Sequence, residues 1–200
     1  DWVNYRINTG SNVALSSNLL LTGENTTNGK SQVIISGTLD LGTYTVTAAS
    51  TYSDGAAFTL NSGGTLITAN ALGINGSVSS TNTTRVFNTD ANYVFNGTLA
   101  QVTSTGMPAT VSNLTINNTA GVTLGQATTI TNNFSIVTGF ANLYTFTTHT
   151  AGILTLGGEG TLPGSWGSTS SLATNKNDTY FAATTGIVNN SCTGPSITSQ

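Results

Sequence analysis

The sequence predicts an all-β fold, a right-handed parallel β-helix in which short strands wind round one axis and each turn lies on the last. Three observations carry this. Apolar residues alternate with Thr, Ser or Asn in bursts of two to five residues, as in strands with one buried face. The bursts end at Asn or Gly, which tolerate the left-handed backbone of a tight corner. Successive segments also look alike, so that GTLDLGTYTVT, GGTLITANALGING and GVTLGQATTITNNFSI stack with their apolar residues in register. A β-sandwich is the alternative, since bursts roughly eight to twelve residues apart suit both folds. Sparse hairpin signals outside Asn28-Gly29 favour the helix.

The clearest stretch runs from Val111 to Gly139. Leu114 and Ile116, Val122 and Leu124, Ile130, then Phe134 and Ile136 form its apolar face, with corners at Asn117–Asn118, Gly125, Asn132–Asn133 and Gly139. At the start of the chain, Trp2, Asn4 and Arg6 alternate with Val3, Tyr5 and Ile7. This reads as an opening strand whose aromatics cap the coil, because a terminal turn has unpaired backbone groups and open apolar surface. Asn12 to Thr22 continues the pattern, a polar loop spans Gly23 to Gln32, and Val33 to Ala48 holds three bursts divided by Gly37 and Gly42. Ala57 to Thr68 turns at Asn61 to Gly64, after which LGINGSVSS, TTRVFN and NYVFNGT keep the rhythm. Ala100 to Thr110, with Pro108, reads as a loop; NLYTFTTH and AGILTLGGEG follow Gly139 as two further bursts.

From Thr161 the rhythm fails, and Trp166, Tyr180 and Phe181 stand as large anchors in a loop-rich closing segment. No stretch of ten or more residues shows helical apolar spacing. The expected organisation is a β-solenoid over residues 1–160, an irregular closing or capping segment of the same domain over 161–191, and a linker or tail over 192–200. If a turn takes about twenty residues, the rod is on the order of 40–50 Å long.

Composition narrows the function. The chain is 37% apolar but only 6% charged, with 23 glycines, so Thr, Ser, Asn and Gly rather than charge keep its surface wet. A net charge of -3, with Arg6, Lys30, Arg85 and Lys176 as the only cations, excludes a nucleic-acid footprint. No apolar run approaches a membrane span, so no membrane insertion is expected. A start at Asp1 without a signal peptide, and Met107 as the one methionine, read as a processed product or a piece of something longer. Cys192 stands alone, which excludes an internal disulfide and a cysteine-based metal site.

Candidate chemistry is sparse. Glycoside hydrolysis needs two carboxylates about 5–10 Å apart. Of Asp1, Glu24, Asp40, Asp54, Asp90, Glu159 and Asp178, the pair Asp40 and Asp54 is the nearest that stacking turns could bring together. His149 is the only histidine, no GxSxG motif surrounds a serine, and a surface or capping role is expected for it. The corner Asn175–Asp178 offers oxygen ligands for calcium, without a repeated Asp motif. Asn-X-Ser/Thr triplets at Asn25, Asn75, Asn82, Asn96, Asn113, Asn117, Asn133, Asn177 and Asn189 read mostly as turn residues in an Asn- and Thr-rich chain. Thr43, Thr45 and Thr47 point to one face; an ice- or polysaccharide-binding surface needs that row to recur on several turns. No catalytic, cofactor-binding or metal residue is assigned, and no cofactor is expected.

The second half carries a resemblance. Met107-Pro108, Asn113-Leu114-Thr115-Ile116, Gly121-Val122-Thr123-Leu124 and Pro163-Gly164-Ser165-Trp166-Gly167 resemble the β-helical repeat modules of large cell-surface and secreted adhesin-like proteins of the Bacteroidetes. The closing CTGPSITSQ resembles the junction where such modules pass into immunoglobulin-like repeats. The likeness covers residues 100–200 closely and the first half in style only. It implies export across the outer membrane and display at the cell surface or release. Because the matching motifs are scaffold motifs, they imply architecture and location more than activity. The expected function is a non-enzymatic structural and adhesive module, a stiff stalk, spacer or filament building block. Its expected partners are neighbouring modules or copies end to end, with surface glycans as a further candidate. Carbohydrate-binding or polysaccharide-cleaving β-helices and an ice-binding β-solenoid are the alternatives.

Overall fold

The computed structural model describes residues 3–22, 31–49, 56–81, 83–103 and 106–191. Its regular structure is β-strand, apart from one five-residue helix. Three short strands begin it: β1 (Asn4–Ile7), β2 (Asn12–Ala14) and β3 (Leu19–Leu21), each opening a different sheet. The chain then revisits the three sheets in the same order with β4 (Gln32–Ile35), β5 (Thr38–Asp40) and β6 (Val46–Ala48), each parallel to its predecessor. A third visit places β7 (Ala56–Leu60) on β4 and β8 (Thr65–Thr68) on β5. In the third sheet only a bridge from Val78 to Val46 follows, after helix α1 (Gly73–Ser77). Next come β9 (Thr83–Phe87) on β7 and β10 (Asn92–Phe95) on β8.

Beyond β10 the pattern tightens. Two-residue strands β11 (Gln101–Val102) and β12 (Thr110–Val111) precede the long strands β13 (Asn113–Thr123), β14 (Thr129–Asn142) and β15 (His149–Leu156). These three lie parallel in one sheet that continues β10, with β11 on β13 and β12 on β14. β13 and β14 carry their expected corners inside the strand. Register shifts between Ile116/Asn117 and Asn118/Val122 absorb the turn at Asn117–Asn118, and Gly139 takes φ 74°. Separate bursts were expected there; bulges let the ladder bend without breaking.

After β15 come β16 (Glu159–Gly160) and then, within residues 161–191, β17 (Gly164–Gly167), β18 (Asn175–Lys176) and β19 (Val188–Asn190). β19 extends the large sheet, pairing parallel to β15 at His149–Ala151. The antiparallel pairs among the described residues are β15 with β16 and β17 with β19. A sandwich of the immunoglobulin type pairs its neighbours antiparallel throughout, and the long ladders here do not.

Register places like residues in columns. Val13, Leu39, Leu66, Tyr93, Leu114, Phe134 and Leu154 face one another in succession across seven strands. Six of the seven are buried; Val13, at the end, is 41% exposed. Ile7, Ile35 and Leu60 form a second buried column, closed by Phe87. Each fully buried Leu, Ile or Phe is worth about 1.5–3 kcal/mol, so the columns are the main source of cohesion. Leu39 and Leu66 stack as the sequence predicts, but Val122 does not join them: it faces Gln101 and Ala141 on another side. Helix α1 was not expected either. Gly73 starts it at φ 59° and Ile74 buries, in a stretch too short to show a helical period. Phe181 buries and Trp166 and Tyr180 pack against the core, as anchors of the closing segment.

Candidate functional site

Polar side chains in this protein link successive strands of the sheets to one another. Asn92, Asn113 and Asn133 occupy one register position on β10, β13 and the N-terminal side of β14. Asn113 Nδ2 donates to Asn92 Oδ1 at 2.6 Å, and Asn113 Oδ1 accepts from Asn132 Nδ2 at 2.9 Å and the Asn133 amide at 3.1 Å. Asn92 Nδ2 reaches down to the Gly63 carbonyl at 3.0 Å. A ladder of identical amides stacks in this way because each side chain has both a donor and an acceptor along the stacking direction.

A second cluster is buried. Gln101 Oε1 accepts from the Gly97 amide and Asn118 Nδ2, both at 2.8 Å, while its Nε2 donates to the Thr68 and Asn70 carbonyls at 3.0 Å. Asn118 in turn donates to the Leu99 carbonyl at 2.8 Å and accepts from the Ala120 amide at 2.8 Å. Beside it, the hydroxyls of Thr68 and Ser77 lie 2.5 Å apart. This cluster was missed because residues 100–110 read as loop; a buried glutamine leaves no periodic mark in a sequence.

His149 is buried, not at the surface. Its Nδ1 accepts from the Thr128 amide at 3.1 Å, so Nε2 carries the proton and donates to the Leu143 carbonyl at 3.2 Å. The ring meets Phe146 edge-on, with centroids 5.7 Å apart. Removal from water lowers its pKa below the ordinary histidine value, outweighing the bond to Leu143. Tyr93, in the middle of the longest column, has a buried hydroxyl without a partner, and burial pushes its phenol well up.

The acids do not converge. Asp40 lies between Ala14 and Ile67 in register and accepts from the Gly42 amide at 2.8 Å, so it serves its own turn; Asp54 lies outside the described residues. Asp178 binds the Thr169 amide at 2.8 Å and the Thr169 hydroxyl at 2.9 Å, which lowers its pKa. It borders a cavity of about 400 Å³ with Phe140, Phe181 and Ala182. At the corner 175–178, Asn175 donates to the Ser165 carbonyl and Asn177 Oδ1 accepts from the Thr179 amide. Among the described residues no three His, Cys, Asp or Glu groups gather as metal ligands.

The Thr43, Thr45 and Thr47 row does not recur. Thr43 and Thr45 precede β6, and Thr47 pairs with Leu20. A hydroxyl row does exist elsewhere: Thr115, Ser135 and Thr155 share an outward register position on β13, β14 and β15. Some Asn-X-Ser/Thr asparagines serve turns or ladders: Asn189 donates to the Thr147 and His149 carbonyls, and Asn113 bridges Asn92 and Asn132. The side-chain oxygens of Asn96 and Asn133 are instead buried without a hydrogen-bond partner. Asn25 and Asn82, Asn28-Gly29, Trp2 and Cys192 with the closing CTGPSITSQ lie outside the described residues.

The two ends differ. At the N-terminal end Tyr5, Ile7, Val13, Leu15, Leu19 and Leu39 line an apolar cavity of about 450 Å³ with Arg6 at its rim. The strands β1, β2 and β3 are each last in their sheet. At the other end β19 extends the sheet parallel to β15, β16 runs antiparallel to β15 and β17 antiparallel to β19, and β18 is last in the sheet. Fold and site together define an all-β protein of parallel-rich sheets with polar ladders. No protein family, curated protein or solved structure matches the chain.

Proposed function

We propose that this chain is a segment of right-handed parallel β-helix that acts as a stiff, non-enzymatic structural and adhesive module of an extracellular surface protein: a stalk, spacer or filament block. The observation that supports it best is the seven-residue column from Val13 to Leu154, in which every strand lies parallel to and in register with the last. The right hand follows from the strong preference of parallel crossover connections. Six steps of about 4.8 Å make that column roughly 29 Å long, shorter than 40–50 Å, because the early turns consume more residues than twenty. Ladders in which Asn92, Asn113 and Asn132 bond one another along the stack, with few charges, suit a rod that must survive salt and proteases. The apolar N-terminal end, with its cavity lined by Ile7, Val13, Leu15 and Leu39, is where a neighbouring module or copy would attach.

Electron micrographs of the purified chain test the reading. Short rods, alone or joined end to end, are expected; round particles of uniform diameter would overturn it. Reducing-sugar release from a polysaccharide panel addresses the enzymatic alternative. No release is expected, and turnover lost in Asp40→Asn would contradict the structural role.

Glycan binding is the second reading, favoured by the in-register row Thr115, Ser135 and Thr155. Glycan-array signal abolished by Ser135→Tyr would support it. Thermal hysteresis abolished by the same substitution would instead favour ice binding on that face.

A further inference from the structure

We propose that His149 is an acid-sensitive latch: protonation of its ring releases the closing segment from the end of the coil while the earlier turns stay folded. The geometry allows one protonation state. The ring is 0% exposed, Nδ1 is an acceptor for the Thr128 amide, and Nε2–H is a donor to the Leu143 carbonyl. A proton added at Nδ1 would set one N–H against another at 3.1 Å, with no acceptor in place. A buried cation without a partner is the costly case, so the added proton is accommodated by opening.

The segments packed against the ring offer no acidic side chain to pair with the charge; the Leu143 carbonyl is already used by Nε2–H. The segment 125–133 that carries Thr128 contains no ionisable side chain, nor does 186–191 with β19. The turn 143–148 contains one, Tyr144, which is 56% exposed. Of the closing segment's charged groups, Asp178 is bound to Thr169 and Lys176 reaches the Thr169 carbonyl; Glu159, just before it, is exposed in β16.

The ring sits where the closing segment is fastened. Asn189 Nδ2 donates to the His149 carbonyl at 3.3 Å, the Ile187 amide to the Phe146 carbonyl at 2.9 Å, and the Ser191 amide to the Ala151 carbonyl at 2.9 Å. Gly186 lies against Leu143, too close for any side chain. Opening the turn at Leu143 to hydrate the imidazolium therefore undoes these contacts together.

The sign follows from linkage. The lowered folded-state pKa has no effect on stability above about pH 6.5, where both states are neutral. Below it the open state binds a proton that the closed state refuses, and closure weakens as pH falls. At pH 5.0, 1.5 units below the ordinary histidine value, the loss reaches at most about thirtyfold in the closing equilibrium.

Hydrogen exchange of the whole chain at pH 7.5 and 5.0, corrected for intrinsic rates, tests this. Protection at Ile187 and Ser191 should fall about tenfold or more at pH 5.0, while Thr65 and Asn92, bonded to Gly37 and Gly64, keep theirs. His149→Gln supplies one acceptor and one donor without a titrating group and should abolish the pH effect. Should that variant fail to fold, the ring carbon signal of wild-type His149 gives the answer. It should hold its neutral Nε2–H form below pH 6 and change together with protection of the closing segment. A ring titrating near 6.5 with protection unchanged would overturn the latch, as would an undiminished pH effect in His149→Gln.

Discussion

The two halves of the molecule space their parallel strands differently along the sequence. From β2 to β10 the column position passes from 12 to 38 to 65 to 92, steps of 26, 27 and 27 residues. From β10 onward Asn92 meets Asn113, Leu114 meets Phe134, and Phe134 meets Leu154, steps of 21, 20 and 20. The difference is the first sheet. In the early half it contributes four- and five-residue strands, and it stops at β9. There the inward column Val33, Phe58 ends on Arg85, whose guanidinium leaves the core to donate to Asn75 Oδ1 at 2.7 Å and the Val78 carbonyl at 3.1 Å. Later strands replace that wall with the two-residue β12 and the first residues of β14 and β15, where Val111, Ile130 and Ala151 follow one another in register. A charged residue in register with Val33 and Phe58 thus marks where the first sheet ends.

Gln101 and Asn118 occupy the seam. Their amides tie Thr68 and Asn70 of the wide turns to Gly97 and Leu99, one turn on, and to Asn118 of the narrow ones. A change of period alters how successive corners overlie, and a buried amide with two donors and an accepting oxygen can satisfy backbone groups that no longer meet each other.

The largest expected effect contrasts the halves directly. Phe134→Ala, in the narrow stack, should cost about 3–5 kcal/mol in urea unfolding. Val13→Ala, in the same column but at the open end, should cost less than about 1 kcal/mol. Equal losses would mean that the N-terminal end is covered. Gln101→Leu comes next: it leaves several buried donors and acceptors unpaired and should cost roughly 2–4 kcal/mol. An unaltered midpoint would show that the seam does not depend on the amide. The smallest effect has the opposite sign. Tyr93→Phe removes a hydroxyl that has no partner and should leave stability unchanged or raise it by about 1 kcal/mol; a clear loss would contradict the unpartnered phenol.

What could be read from the chain follows the same divide. In Val111–Gly139 every apolar position read as inward is buried: Leu114, Ile116, Val122, Leu124, Ile130, Phe134 and Ile136. Alternation is a local property, and a strand with one dry face must display it. The period of the early turns was not legible, because it depends on which distant segments pair. The corners between third- and first-sheet strands have no pattern to count. Buried polar groups were the least legible. His149 and Gln101 look like any surface residue until partners from other turns surround them. Asp40 had the reverse fate, since its candidate role needed a neighbour in register and its neighbours are Ala14 and Ile67.

Register-specific cross-linking tests the parallel stack most directly. In a Cys192→Ser background, Thr115→Cys with Ser135→Cys joins positions that face each other on adjacent strands. Thr115→Cys with Thr155→Cys joins positions two strands apart, about 9–10 Å and beyond disulfide reach. Rapid disulfide formation in the first pair and none in the second is the predicted result; a bond in the second pair with none in the first would contradict the stack.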